Sequence, residues 1–288
     1  MKATKLLSDR KVHQDALAAA AAESAEHLLQ VKGLKCGYGK KNPVEIVHGV
    51  DFCVDKGEFL CVIGSNGCGK TTTLKAVMGL LPAMAGQVLI SGQDVHVMNE
   101  KEKARHFAYI PQAHTPPFPF SVADVVMMGR TPYVNKLSRV TKRDRMVAGK
   151  ALDLLGIRHL AKAEYTNLSG GQRQLVLIAR ALAQESDMLI MDEPTAALDF
   201  GNQHLVLSCM KTLSKLGKAV VMVTHDPDHA LFCADRVLVM GKGKVIKEGT
   251  AAECITTDVL QQIYGATARV VDVEVEPGRI ERVVVPLQ

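Results

Sequence analysis

The chain predicts an α/β fold built on a buried, largely parallel sheet, and three observations predict it. First, Gly64-Ser65-Asn66-Gly67-Cys68-Gly69-Lys70-Thr71 fits G-x-x-x-x-G-K-[ST]. It lies between the apolar run Phe59–Ile63 and a helix-compatible run from Thr71 to Met78, the strand–loop–helix setting of a phosphate-binding loop. Second, Met188–Met191 and Ala219–Val223 are short and almost wholly apolar, as strands buried on both faces of a parallel sheet are. Third, helix-start signals cluster between these strands. Ser121 with Asp124, and Thr141 with Asp144, have the spacing of a capping box, so about 113–167 reads as a mostly helical insertion.

The remaining elements follow in order. Ala16–Ala22, between Asp15 and Glu23, reads as a helix, since alanine has the highest helix propensity. Leu28–Cys36 reads as a strand leading to Gly37-Tyr38-Gly39, and Val44–Val54 as a second strand ending at the turn Asp55-Lys56-Gly57. Gln87–Ser91 and Val95–Met98 predict a hairpin turning at Gly92-Gln93-Asp94. His106–Ile110 is strand-like and ends at Pro111-Gln112, and Thr115-Pro116-Pro117-Phe118-Pro119 is a loop. A helix is expected over Gly170–Ala183. Arg236–Met240 with Lys244–Lys247, and Val270–Glu276 with Ile280–Pro286, predict two further hairpins.

Composition narrows the function classes. The chain has 288 residues, 47% apolar and 23% charged, with a net charge of +5 spread along its length. That mild basicity does not demand nucleic acid. The seven cysteines are odd in number and form no C-x-x-C pair, so reduced thiols are expected rather than disulfides or zinc. No apolar stretch reaches the roughly 18 residues that a membrane span needs, and no signal peptide is expected.

The chemistry starts at the glycine-rich loop. Glycines let successive N–H groups turn inward as a nest for anionic oxygens, and the following helix start adds partial positive charge. Lys70 supplies a full charge for the β- and γ-phosphates, and the Thr71 hydroxyl suits Mg²⁺. A buried apolar strand ends in Asp192-Glu193. Asp192 suits Mg²⁺ through a water, and Glu193 is placed to orient or deprotonate an attacking water. Leu168-Ser169-Gly170-Gly171-Gln172 alone would be only a capped helix start. Its place between the loop and the acidic pair gives it another meaning.

In that order these motifs resemble the ATP-binding subunit of an ABC transporter over roughly 28–265. The resemblance implies a P-loop NTPase of ABC type: a mixed core sheet, an antiparallel β subdomain and an inserted helical subdomain. Residues 1–27 are then an N-terminal helical extension and 266–288 a C-terminal β-hairpin extension. Tyr38 matches the aromatic that stacks on adenine. Gly64, Ser65, Asn66, Gly67, Cys68, Gly69, Lys70 and Thr71 match Walker A, which Thr72 continues. Gln112 matches the Q-loop glutamine, a Mg²⁺ contact and hinge. Ser169, Gly170, Gly171 and Gln172 match the signature, and Asp192 and Glu193 the Walker B aspartate and catalytic glutamate. Ala196–Asp199 match the D-loop, with Ala196 where serine is common. His225 matches the switch histidine.

The resemblance implies ATP and Mg²⁺ as ligands and a head-to-tail dimer, in which Ser169–Gln172 of one copy close over ATP held by Lys70 of the other. Membrane permease subunits would dock in the groove of Gln112 and the helical segment, at the cytoplasmic face of a bacterial or archaeal membrane. A substrate-binding protein would act indirectly. Pro119-Phe120-Ser121-Val122 and Met128–Tyr133 resemble importers of iron–siderophore, haem or cobalamin. Molybdate or tungstate importers share much of this wording. A non-transport ABC ATPase acting on DNA or ribosomes is the remaining alternative, and no nucleic-acid partner is expected.

Overall fold

The computed structural model describes residues 27–39, 43–112, 119–134, 140–265 and 268–287. The expected helix at Ala16–Ala22 and the Thr115–Phe118 part of the expected loop lie outside them.

A six-stranded sheet forms the centre. Its strands are β3 (Phe59–Ile63), β6 (Phe107–Ile110), β7 (Met188–Asp192), β8 (Ala219–Val223), β9 (Arg236–Gly241) and β10 (Lys244–Gly249). They lie in the order β10-β9-β3-β8-β7-β6, parallel except for the β9–β10 hairpin. The apolar runs are explained by two cores. Phe59, Cys61 and Ile63 face one core and Leu60 and Val62 the other, and β7 and β8 divide their residues the same way.

The second core is closed by an antiparallel sheet of β1 (Leu29–Tyr38), β2 (Val44–Val54), β4 (Ala83–Ile90) and β5 (Gln93–Asp94), in the order β2-β1-β4-β5. Helix α1 (Lys70–Val77) fills the space between the sheets with Leu74, Ala76 and Val77. The expected hairpin is corrected here. It turns at Ser91-Gly92, and Val95–Val97 form a 3-10 turn instead of a strand, because Asp94 accepts from the His96 N–H at 2.8 Å. The short helix α2 (Glu100–His106), capped by Asn99 and Glu102, also ends the predicted strand's claim on His106.

The first core is covered by α3 (Val122–Met127), α4 (Lys142–Leu154), α5 (Gly170–Ala183), α6 (Phe200–Lys215) and α7 (Pro227–Cys233). Ser121 and Thr141 cap α3 and α4 as their spacing predicts, and Ser169 caps α5. After the short helices α8 (Ala251–Cys254) and α9 (Thr257–Tyr264), strands β11 (Ala268–Glu276) and β12 (Arg279–Pro286) form a hairpin. It is held to α7 where the Val284 N–H donates to Asp228 at 2.9 Å. Among the described residues no helix is long and apolar enough to cross a membrane.

Candidate active site

The carboxyl ends of β3, β6, β7 and β8 meet at one cavity of about 730 Å³. Ser65, Asn66, Gly67, Gly69, Lys70, Thr71, Thr72, Gln112, Glu193 and His225 line it. Open α/β sheets place ligand crevices at this end of their strands.

The loop's glycines are required by its shape. A Cβ on Gly64 would sit 2.3 Å from the Met240 carbonyl oxygen and 2.8 Å from Cys68 Sγ. Gly69 enters α1 at φ 108°, a left-handed conformation that glycine adopts without strain. Cys68 is buried, so its contribution to the loop is its backbone. The Lys70 ammonium donates to the carbonyls of Gly64 and Ser65 at 2.7 and 3.0 Å, which arches the loop over its own side chain.

The Thr71 hydroxyl donates to Asp192 at 2.8 Å. Burial raises the Asp192 carboxyl above its ordinary range, Thr71 opposing and neighbouring Glu193 adding. A hydroxyl and one carboxylate are hard oxygen donors, and Mg²⁺ is commonly held by one or two carboxylates with substrate phosphates. Among the described residues there is no cluster of three or more His, Cys, Asp or Glu suited to a metal. As hard oxygen donors, the Thr71–Asp192 pair fits a Mg²⁺ that arrives with a nucleotide.

Glu193 is where the other residues converge. The Gln112 amide donates to it at 2.7 Å, and His225 Nδ1 lies 3.5 Å from its second oxygen. Its backbone is in the left-handed region at φ 50°, held by the hydrogen bond from its N–H to the Val223 carbonyl at 3.0 Å. Strain of this kind costs on the order of 1–3 kcal/mol and persists where the surroundings over-determine it. His229 buttresses the region. Its Nδ1 lies 3.4 Å from the hydroxyls of both Thr195 and Thr224, and burial lowers its pKa.

Other predicted residues stand apart. Ser169, Gly170, Gly171, Gln172 and Asp199 do not line this cavity. The first four form the capped start of α5, and a Cβ on Gly171 would sit 3.3 Å from the Ala197 carbonyl, so the signature packs on the D-loop segment. Asp199 caps α6, and the Asn202 N–H and amide hold its carboxyl below the usual range. Tyr38 is half exposed at the end of β1 and accepts from the Thr72 hydroxyl at 3.5 Å, without lining the cavity.

Two lining residues escaped the sequence reading: Ile46 and Tyr264. Ile46 is one of several alternating apolar residues in β2, and Tyr264 ends a helix far from any motif, so neither carried a local signal.

The family model described as ABC transporter matches residues 47–196. The chain is 37% identical to the iron(3+)-hydroxamate import ATP-binding protein FhuC of Bacillus subtilis, over 84% of this chain and 90% of that one. It is 40% identical to the hemin import ATP-binding protein HmuV of Nocardia farcinica, over 79% and 78%. It is 38% identical to the molybdate import ATP-binding protein MolC of Haemophilus influenzae, over 75% and 80%. Among solved structures, an inward-facing ABC transporter assigned to the metal-chelate type superposes with TM-score 0.79 and 33% identity, covering 91% of this chain and 98% of that chain. A dimeric ATP-binding cassette in a post-hydrolysis state, with ADP and phosphate bound, superposes at TM-score 0.70 and 26% identity, covering 77% and 98%.

Proposed function

This chain belongs to the ABC transporter family of ATP-binding proteins, and from that premise we propose that it is the ATP-hydrolysing motor of an importer for a metal chelate. The observation that carries the proposal is the convergence of Lys70, the Thr71–Asp192 pair, Gln112, Glu193 and His225 on one cavity. Each has a part in phosphoryl transfer to water. The loop N–H groups and Lys70 hold the β- and γ-phosphates and offset their charge. Thr71, Asp192 and Gln112 would hold Mg²⁺, which when bound neutralises charge developing on the phosphate oxygens.

Glu193 orients the attacking water and takes its proton as the new O–P bond forms and the bond to ADP breaks. Gln112 and His225 position that carboxylate, one from each side. A preorganised base of this kind contributes about 10²–10⁴-fold.

The signature residues Ser169–Gln172 and Asp199 serve the site of a second copy. Their absence from this chain's own cavity supports that reading, as does the dimeric relative. ATP then bridges two subunits, and its hydrolysis releases them, a ligand-driven population shift. The test is Glu193→Gln. In size-exclusion chromatography with ATP and Mg²⁺ it runs as a stable dimer, and with ADP as a monomer. A variant that keeps normal hydrolysis and stays monomeric with ATP overturns the proposal.

Iron–siderophore, haem or cobalamin is the proposed cargo class, carried through separate permease subunits at the cytoplasmic face of the membrane. The hydroxamate and hemin import relatives and the metal-chelate structure support it. The molybdate relative keeps the oxyanion reading in play. ATPase stimulation of the reconstituted complex, by binding protein loaded with each cargo in turn, separates the two.

A further inference from the structure

The His225 side chain is 58% exposed, and its Nδ1 lies 3.5 Å from Glu193, beyond the ordinary length of a strong hydrogen bond. Its position therefore depends on the backbone that carries it. Thr224 on one side is buried, and Asp226 on the other caps α7. Both touch the same residue, His229, within that helix. His229 Nδ1 lies 3.4 Å from the Thr224 hydroxyl, and its Nε2 lies 3.4 Å from the Asp226 carboxylate. One ring thus grips the two residues that flank His225.

The ring also reaches a second loop. Nδ1 lies 3.4 Å from the buried Thr195 hydroxyl, just beyond Glu193 and Pro194. A single imidazole therefore spans the loop after β7, which carries the base, and the loop after β8, which carries His225. It does so from behind, since His229 is mostly buried and does not line the cavity. A proton at Nε2 suits the Asp226 carboxylate, and leaves Nδ1 as the acceptor for the two threonine hydroxyls. Thr224 completes the pattern. Its oxygen accepts the Asp226 N–H at 3.1 Å, so its own hydrogen can point at the ring. Burial lowers the His229 pKa, with Asp226 opposing, and this favours the neutral ring.

We infer that His229 is a positioning residue of the hydrolytic reaction: its neutral ring, protonated at Nε2, locks the Glu193 and His225 loops to one another and so holds the base against the switch histidine. The inference rests on the hydrolytic reading above. It assigns His229 to the rate of the chemical step and not to nucleotide binding, because Lys70 and the glycine-rich loop lie outside the network that the ring joins.

Steady-state hydrolysis by the full chain with Mg²⁺ tests it. His229→Leu removes the contacts to Thr195, Thr224 and Asp226. Its kcat should fall about 10-fold, the rate equivalent of one net hydrogen bond, with KM for ATP within about twofold of wild type. His229→Asn restores a polar group at the place of Nδ1, and should bring kcat back to within about threefold of wild type. Thr195→Val should lower kcat about threefold and add nothing to His229→Leu when the two are combined. A His229→Leu kcat close to wild type, a KM that rises as kcat falls, or His229→Asn no faster than His229→Leu overturns the inference. If His229→Leu does not fold, Thr195→Val decides alone, and an unchanged kcat overturns it. The ¹⁵N spectrum of the wild-type ring at neutral pH should show Nε2 protonated and Nδ1 bare; the opposite tautomer or an imidazolium also overturns it. Glu193→Gln separates this from the reading beneath it. That variant should lose hydrolysis, and if it hydrolyses ATP as wild type does, the hydrolytic reading itself has failed.

Discussion

Asp192 is held under opposing demands. Its burial raises the carboxyl's pKa, and the Thr71 hydroxyl only partly compensates. A raised native pKa means that the folded state prefers the protonated acid. Asp192 therefore favours folding below its ordinary value of 3.8, and that contribution is lost as pH climbs through the raised native value. At neutral pH the carboxylate is a stability cost retained for function. Asp192→Asn should accordingly raise the nucleotide-free melting temperature at pH 7, at roughly 2–4 °C per kcal/mol recovered. The advantage should shrink as pH falls through the native pKa. On the proposed role of Asp192 in holding Mg²⁺, ATPase activity should drop on the order of 10²-fold or more. Scanning calorimetry at two pH values, with a phosphate-release assay, checks both. The left-handed backbone of Glu193 next door is a second cost of the same kind.

Among the helices, the turn formed by Met128–Arg130 is tied to both α4 and the end of α5 by one side chain. The buried Arg130 donates to Asp144 at 3.0 Å, the Ala183 carbonyl at 2.7 Å and Glu185 at 2.8 Å. The Thr141 hydroxyl and N–H, and then Arg130, hold the Asp144 carboxyl down to about 2. A lowered native pKa contributes stability above the ordinary value of 3.8, and that stability is lost as pH falls towards about 2. Arg130→Met should cost about 2–3 kcal/mol at pH 7, near or below the low end for a broken buried pair, because Thr141 still holds the carboxylate. The cost, read by urea unfolding, should diminish in acid.

How far elements were legible follows from where their information sits. β2, β3, β8 and α5 match their predicted bounds, because burial pattern and caps are local in the chain. Val95–Val97 misled because β-branched residues flanking a histidine resemble a strand, while the Asp94 side chain diverts the backbone. Helix α2 was legible in principle, since Asn99 and Glu102 have capping-box spacing before it. Lys70, Thr71, Gln112, Glu193 and His225, each named by one of the ordered motifs, line one cavity. Tyr264 and Ile46 reach the cavity only through packing between distant segments, which no local pattern encodes.

The molecule as a whole closes with the β11–β12 hairpin. Val270 and Val284 pack on the main core, and Asp228 accepts the Val284 N–H. Removing residues 266–288 should cost about 1–3 kcal/mol, from the two valines at roughly 25 cal/mol per Å² of apolar area. That corresponds to a melting temperature lower by roughly 2–10 °C. Nucleotide affinity should change little, since the glycine-rich loop remains, and an unchanged melting temperature would show that the hairpin contributes no packing. The strand order of the central sheet also bears on how the chain is made. β3 is flanked by β8 and β9, both encoded far downstream, and Thr71 precedes its partner Asp192 by 121 residues. At about 5–20 residues per second, roughly 6–24 s of synthesis separate the two. Through that interval the nascent chain carries a five-residue strand, Phe59–Ile63, with both edges unpaired and both faces apolar. Such a strand invites pairing with other chains, so the time of greatest risk for this protein falls before its nucleotide site exists, when the ribosome and chaperones are its only cover.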